Sequence, residues 1–170
     1  MAETTDEYPD LDETDLEILE RVEGDFDVSL GTVAAELDLS KSAIHYRVNK
    51  LKESGVIRGV TADVDPLAFG LEMVSITNVS VTHEQGYSES IGEQITSIRG
   101  VERVFYTMGD VDFVVISRVQ TRGQLNDLID ELVAIDGVNE TSSTFVMDEF
   151  HDGQNVTVNL TEEGREMVLE

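Results

Sequence analysis

Cysteine is absent from this 170-residue chain, which excludes disulfides, thiolate metal sites and thiol catalysis together and fits a reducing interior. Basic residues are scarce: eleven stand against 36 acids, for a formal net charge of -25. Three histidines occur, His45, His83 and His151, without H-x-x-x-H or H-x-x-E-H spacing, so no metal or cofactor is expected. "RGVTADVDPLAFG" and "TMGDVD" lack the glycine spacing of nucleotide-binding loops. In so acidic a chain a pair of carboxylates is expected everywhere and specifies no acid–base chemistry. An enzyme is therefore not expected. No apolar run approaches the roughly 18 residues that a membrane span needs. The opening "MAETTDEYPDLDE" lacks the apolar segment of a secretory or transit signal. These absences predict a soluble, cytoplasmic protein with no membrane partner.

Forty per cent of the residues are hydrophobic, enough for a folded protein of one ordinary domain or two small ones. The acids are spread along the chain and interleave with apolar periodicity, unlike an acidic disordered tail. A basic partner would also account for them. The favoured reading is a surface adapted to a salt-rich cytoplasm, as in a halophilic archaeon, where carboxylate repulsion is screened within ~3 Å at molar salt.

Residues 1–10 read as an acidic flexible tail. Asp12, with Asp15 three residues later, forms a cap pair for a helix carrying Leu11, Ile18, Leu19 and Val22 and ending near Gly24. Ser29 caps a short second helix with Leu30, Val33, Ala34 and Leu37. Ser40 caps a third, in which Ile44, Val48 and Leu51 recur at helical spacing before Gly55. The tight turn between the second and third helices is that of a helix-turn-helix, with Asp38 where such turns often carry Gly. Ordinary packed helix pairs share this spacing. From Val56 to Asp63, β-branched residues predict a strand, and "DVDPLAFG" reads as a turn into the next unit. The expected organisation is a helix-turn-helix domain over 11–55, a linker strand and turn over 56–70, a second domain over 71–148 and an extension over 149–170.

The second domain contains a repeat. Ile91, Ile95, Ile98, Gly100 and Val101 recur 37 residues later as Leu128, Leu132, Ile135, Gly137 and Val138. Each copy is an amphipathic helix, a glycine and a strand, so two halves build a ferredoxin-like βαββαβ sheet with both helices on one face. The open face would expose apolar residues, which predicts dimerisation through it. "VERVFYTMG" and "VDFVVISRV" read as strands joined at Gly109 and Asp110. In the extension, "VTVNL" reads as a strand and "TEEGREMVLE" as a short helix capped by Thr161, extra elements packed on the domain or on a partner subunit. The fold class is α+β, a (winged) helix-turn-helix followed by a dimerising ferredoxin-like domain.

Five of the eleven basic residues, Lys41, Arg47, Lys50, Lys52 and Arg58, fall within "LSKSAIHYRVNKLKESGVIRG", whereas the forty residues before Lys41 hold fourteen acids and only Arg21. With Ile44, Val48 and Leu51 buried, the opposite face presents Lys41, Ser42, His45, Tyr46 and Asn49, types that donate to, accept from or stack on base edges. Lys50, Lys52 and Arg58 lie where they can neutralise phosphates, and Ser40 with the first-turn amides can hold a phosphate oxygen. Double-stranded DNA is the expected partner. Arg47, beside Val48, reads equally as a structural partner of an acid such as Asp15. "YTMGDVDF" reads either as a plain hairpin turn or as a site where turn amides bind a carboxylate and Asp110 or Asp112 attracts an ammonium, the two charges of an amino acid.

Together "LDETDLEIL", "LSKSAIHYRVNKLKESGVIRGVTADVDPLAFG" and "MGDVDF" resemble the Lrp/AsnC (feast/famine) family of transcription regulators over roughly residues 11–148. The resemblance implies a homodimer, commonly assembled further to octamers. It also implies an amino-acid effector bound near a G-D-x-D turn, here Gly109, Asp110 and Asp112, with Met108 where many members have Thr. Sirohaem decarboxylases share the architecture, so an enzyme that binds tetrapyrrole and ignores DNA is one alternative. A ligand-sensing adaptor acting through a protein partner is another. The salt reading predicts that moving the protein from molar salt into dilute buffer destabilises it; a melting temperature unchanged by that transfer would contradict it.

Overall fold

The computed structural model describes residues 10–24, 28–59, 62, 64–83, 86–150 and 156–169. These fall into two compact units, one made of the described residues up to 62 together with 156–169, the other of 64–150. Among the described residues, no helix is long and apolar enough to cross a membrane.

The first unit opens with α1 (Glu13–Gly24), α2 (Leu30–Glu36) and α3 (Lys41–Glu53). Asp12 and Asp15 close the start of α1 reciprocally. The Asp15 amide donates to Asp12 Oδ1 at 2.9 Å and the Asp12 amide to Asp15 Oδ2 at 3.2 Å, so two amides without helical partners are satisfied at once. Ser29 and Ser40 cap α2 and α3 by accepting from the amides of Thr32 and Ala43. Between those helices Asp38 adopts the left-handed conformation at φ +52°, and the Leu39 amide reaches back to the Ala34 carbonyl at 2.9 Å. That is a glycine-type helix stop made with aspartate. Ile18, Val33, Ala34, Ile44, Val48 and Leu51 form the buried core.

Among the described residues, neither 56–59 nor 156–160 forms a strand. After Gly55, at φ +77°, the Ile57 amide returns to the Leu51 carbonyl at 3.0 Å, and Val56 and Ile57 pack against the helical core. Their apolar character serves the three-helix cluster rather than a sheet. Of the expected strand, positions 60, 61 and 63 lie outside the described residues. "VTVNL" instead forms a 3-10 turn, Thr157–Asn159, before α6 (Glu162–Leu169). Its start is fixed by the Glu23 carboxylate, which accepts from the amides of Val156 and Thr157, and amides committed to one carboxylate are unavailable to a ladder. Thr161 caps α6 by accepting from the Gly164 amide at 3.0 Å.

In the second unit Asp65 caps a 3-10 turn, Pro66–Phe69, that Gly70 ends at φ +68°. There follow β1 (Met73–Val81), α4 (Tyr87–Ser97), β2 (Val101–Tyr106), β3 (Phe113–Val119), α5 (Arg122–Ala134) and β4 (Val138–Phe145). The sheet is antiparallel in the order β2-β3-β1-β4, the ferredoxin-like arrangement. Val79, Val81, Phe113, Val115 and Val119 face α4 and α5 across one core with Ile91, Ile95, Leu125, Leu128 and Leu132. The polar residues on this side satisfy one another across strands, Ser75 with Ser117 at 2.7 Å and Thr77 with Ser143 at 2.8 Å. On the other face Ile76 is paired with Ile116, and Phe105 with Val114; Ile76 and Phe105 are exposed.

The repeat is reproduced in the backbone. Helices α4 and α5 end at Ile98 and Ile135 in matching extended conformations, and Gly100 and Gly137 follow at φ +93° and +94°. A Cβ on Gly100 would lie 2.9 Å from Val119 Cγ1 and 3.3 Å from the Arg118 carbonyl, whereas one on Gly55 would meet nothing within 4 Å. Gly55→Ala should therefore cost about 1 kcal/mol for the backbone alone and Gly100→Ala about 2–4 kcal/mol, because overpacking adds to the strain. Equilibrium unfolding of both variants in one buffer checks the ranking.

Candidate functional site

Helix α3 presents its buried residues, Ile44, Val48 and Leu51, to the core, and the opposite arc is open. Lys41, Ser42, His45, Tyr46, Asn49 and Lys52 are all exposed along it, with Tyr46 at 71 %. At the helix start the Ser40 hydroxyl accepts from the Ala43 amide at 3.1 Å and pairs with the Ser42 hydroxyl at 3.0 Å. One turn apart, the Asn49 side-chain amide and His45 Nδ1 are 3.1 Å apart. With that amide donating to a neutral ring, the ring proton sits on Nε2.

The five basic residues divide by role. Arg47 belongs to the joint between α3 and α1: one guanidinium nitrogen donates to Asp12 Oδ2 at 2.6 Å and to Asp15 Oδ1 at 2.7 Å. Both acceptors raise its pKa, while burial works the other way. Lys50 leans towards the chain start, 3.4 Å from the Asp10 carbonyl oxygen and 3.9 Å from its carboxylate. Lys41 lies over the start of α2, so that a Cβ on Gly31 would sit 2.9 Å from Lys41 Cε. Lys52 and Arg58 are exposed. Gly31 is a position that sequence reasoning passed over; a glycine in the first turn of a short helix was its only signal.

The residues of the second expected site part company. The connection between β2 and β3 spans 107–112. Its tip carries Met108, 98 % exposed, Gly109 at φ +156° and the exposed Asp110. Asp112, 7 % exposed, turns inward. Its Oδ2 accepts from the Val81 amide at 2.8 Å and its Oδ1 is 2.6 Å from His83 Nε2. The Thr107 hydroxyl donates to the Val111 carbonyl, and the Thr107 amide to the Asp112 carbonyl. Asp112 thus holds the turn to β1. His83 stacks on Tyr87 at 4.9 Å, and Tyr87 shares a 2.7 Å hydroxyl hydrogen bond with Tyr106. That bond, then desolvation, then the charges of Tyr106 and Asp112 push the Tyr87 hydroxyl up to about 12. His83, Tyr87 and Tyr106 beside the turn are a further set that the sequence pattern does not single out, because 29 residues separate His83 from Asp112.

Comparison with known proteins gives concordant matches. The family domain described as "Winged helix-turn-helix DNA-binding" matches residues 11–58, and that described as "Lrp/AsnC ligand binding domain" matches residues 76–156. The HTH-type transcriptional regulator FL11 of Pyrococcus horikoshii is 33% identical over 137 residues, covering 81% of this chain and 89% of that protein. The HTH-type transcriptional regulator LysM of Saccharolobus solfataricus is 35% identical over 137 residues, covering 81% and 94%. Among solved structures, a transcriptional regulator from Neisseria meningitidis in complex with L-Met superposes with a TM-score of 0.81 at 21% identity, covering 88% of this chain and 97% of that one. At that identity the likeness speaks for the fold alone.

The Arg47 joint generates a prediction. Asp15 is 1 % exposed, so Arg47→Ala strands a buried carboxylate and should cost about 2–4 kcal/mol. Partial burial pushes the Asp12 carboxyl up, but the Arg47 hydrogen bond, the Asp15 amide, the Arg47 charge and the Thr14 amide outweigh it and lower its pKa from the ordinary 3.8. A lowered folded-state pKa contributes stability that is present above the ordinary value and lost as the pH falls through the lowered one. Stability measured against pH should therefore fall through this acid window in the parent, and fall less steeply there in Arg47→Ala.

Proposed function

The chain belongs to the Lrp/AsnC family and is a DNA-binding transcription regulator, and on that premise we propose how its two units divide the work. The open arc of α3 reads the major groove. Lys41, Ser42, His45, Tyr46 and Asn49 meet base edges, and Ser40, Lys50, Lys52 and Arg58 meet phosphates. The observation that carries this reading is the separation on a single capped helix of a buried apolar face from an uninterrupted polar one. His45, with its ring proton on Nε2, suits an acceptor such as the N7 or O6 edge of a purine.

Two copies joined through the open face of the sheet, where Ile76 and Phe105 are exposed, would bring two such helices to successive major grooves about one turn apart and favour a pseudo-palindromic site. Further assembly, to an octamer, would use the same building block. The exposed tip of the 107–112 connection is the proposed effector site. Its backbone amides suit a carboxylate, and the exposed Asp110 suits an ammonium. Asp112, already bonded to Val81 and His83, shapes the turn instead, and Met108 presents an apolar surface to the effector side chain. The match of residues 76–156 to a domain described as ligand binding supports a small-molecule effector, and the L-Met bound by the Neisseria regulator makes amino acids the class to test first. A salty, reducing cytoplasm as the working compartment is supported by the charge and by the lack of cysteine.

The test is genome-wide DNA occupancy with and without candidate amino acids, for the parent chain and for Lys41→Ala with His45→Ala. The double variant should lose promoter binding by about 30-fold or more. Retained promoter binding would favour a protein partner instead. An effector should change DNA affinity or oligomeric state, and if no amino acid does either the effector half of the reading fails.

A further inference from the structure

Residues 156–169 follow the whole 64–150 unit in sequence yet fold as part of the helix-turn-helix unit. The contact with α1 is built from two carboxylate sites. At the end of α1, Glu23 accepts from the Val156 amide at 2.5 Å, from the Thr157 amide at 2.8 Å and from the Thr157 hydroxyl at 2.7 Å. One carboxylate thus does for this 3-10 turn what a local cap does for a helix. Partial burial alone would raise the Glu23 carboxyl, but the Val156 amide and the Thr157 hydroxyl and amide outweigh it and hold it below its ordinary value. From α6 the Arg165 guanidinium pairs with Glu20 and lies 3.4 Å from Glu13 Oε1. Those two acids stand two turns apart on α1, so they share a face. Gly164, next to Arg165, lies where a Cβ would sit 3.3 Å from the Thr161 hydroxyl.

The charge distribution shows why the contact matters. From Asp12 to Glu23 the chain carries six acids and one Arg. Arg21 serves α2, donating to Glu36 at 3.0 Å. The remaining guanidinium partners come from outside the helix, Arg47 at its start and Arg165 along its length. In a chain with eleven basic residues, placing one of them on this acidic face is a specific arrangement.

We propose that residues 156–169 are a brace belonging to the DNA-binding unit: they hold α1, α1 holds α3 through the Asp12–Arg47–Asp15 joint, and Glu23 and Arg165 are thereby positioning residues for DNA binding that never touch DNA. The brace also gives the DNA-binding unit two covalent connections to the 64–150 unit, one before Val64 and one after 150.

The experiment uses the full chain carrying Glu23→Gln, Arg165→Gln, or the milder Thr157→Val, which removes one hydroxyl and serves if either of the others fails to fold. Amide hydrogen exchange is followed helix by helix, and operator affinity is measured where circular dichroism shows each variant folded. The expected result is about tenfold faster exchange in α1, unchanged exchange in α4 and α5, and operator affinity reduced by about three- to tenfold. The salt slope of binding should stay at the parent value, since no phosphate contact is lost, whereas Lys52→Ala should reduce it by about one. Exchanging the charges, Glu20→Arg with Arg165→Glu, should restore both exchange and affinity. Unchanged α1 exchange overturns the brace, and faster exchange with unchanged affinity overturns its positioning role. The affinity arm rests on α3 being the reading helix. If Lys41→Ala with His45→Ala leaves binding intact that reading fails, and the exchange data still decide the brace.

Discussion

One guanidinium, Arg47, carries the geometry of the DNA-binding unit. Its nitrogen lies 2.6 Å from Asp12 and 2.7 Å from Asp15, and the same two acids cap α1 through each other's amides. The start of one helix and the orientation of another are therefore fixed by one set of atoms. A carboxylate as buried as that of Asp15 tolerates its position only with a partner and a full set of hydrogen bonds. It accepts from the Asp12 amide on one oxygen and from Arg47 on the other. The apolar core of Ile18, Val33, Ile44, Val48 and Leu51 supplies the attraction between the helices, but such packing is non-directional. The ion pair supplies the direction. It also removes Arg47 from the cations available to DNA, so the helix that looks most basic in sequence is less so on its open face.

The two units solve the excess of acid differently. In the first, arginines bridge helices: Arg21 joins α1 to α2, Arg47 joins α1 to α3, and Arg165 joins α1 to α6. In the second, Arg118 on the open sheet face joins Glu102 and Glu149, each at 2.8 Å. Each of these four arginines reaches from its own element to a carboxylate of another. Exposed pairs of this kind contribute little each, and the gain comes from buried members such as Asp15 and from relief of like-charge repulsion along α1.

What the sequence disclosed depended on the range of the interaction involved. Helical caps, the left-handed Asp38 and the Ile-Ile-Ile-Gly repeat are written within a few residues of where they act, and they were legible; Gly100 and Gly137 even share their dihedrals. Features decided by distant partners were less so, although the Arg47–Asp15 pair is one of the two readings the sequence offers for Arg47. "VTVNL" has the composition of a strand and forms a 3-10 turn because a carboxylate 133 and 134 residues away takes its amides. Asp112 in G-D-x-D reads locally as either a turn residue or a ligand contact, and its bonds to Val81 and His83 come from segments the local pattern does not name. Val56 and Ile57 alternate with nothing, since the helical core covers them. In each case local propensity was sound, and a tertiary contact outweighed it.

This division bears on how so acidic a protein approaches DNA. Phosphate attraction released through counterions falls steeply with salt, and the net charge opposes it at every salt concentration. On the proposed reading, the saltier the surroundings, the more of the affinity must come from Ser42, His45, Tyr46 and Asn49. Contacts between uncharged groups are short-ranged and directional, and a hydrogen bond weakens sharply with small errors of distance or angle. A reading helix that relied on charge could tolerate some looseness in its mounting, because a Coulomb field changes little over an ångström. One that relies on hydrogen bonds and stacking cannot. The investment of scarce arginines in holding α1 and α3, rather than in facing phosphate, follows from that difference: fixed geometry substitutes for long-range attraction.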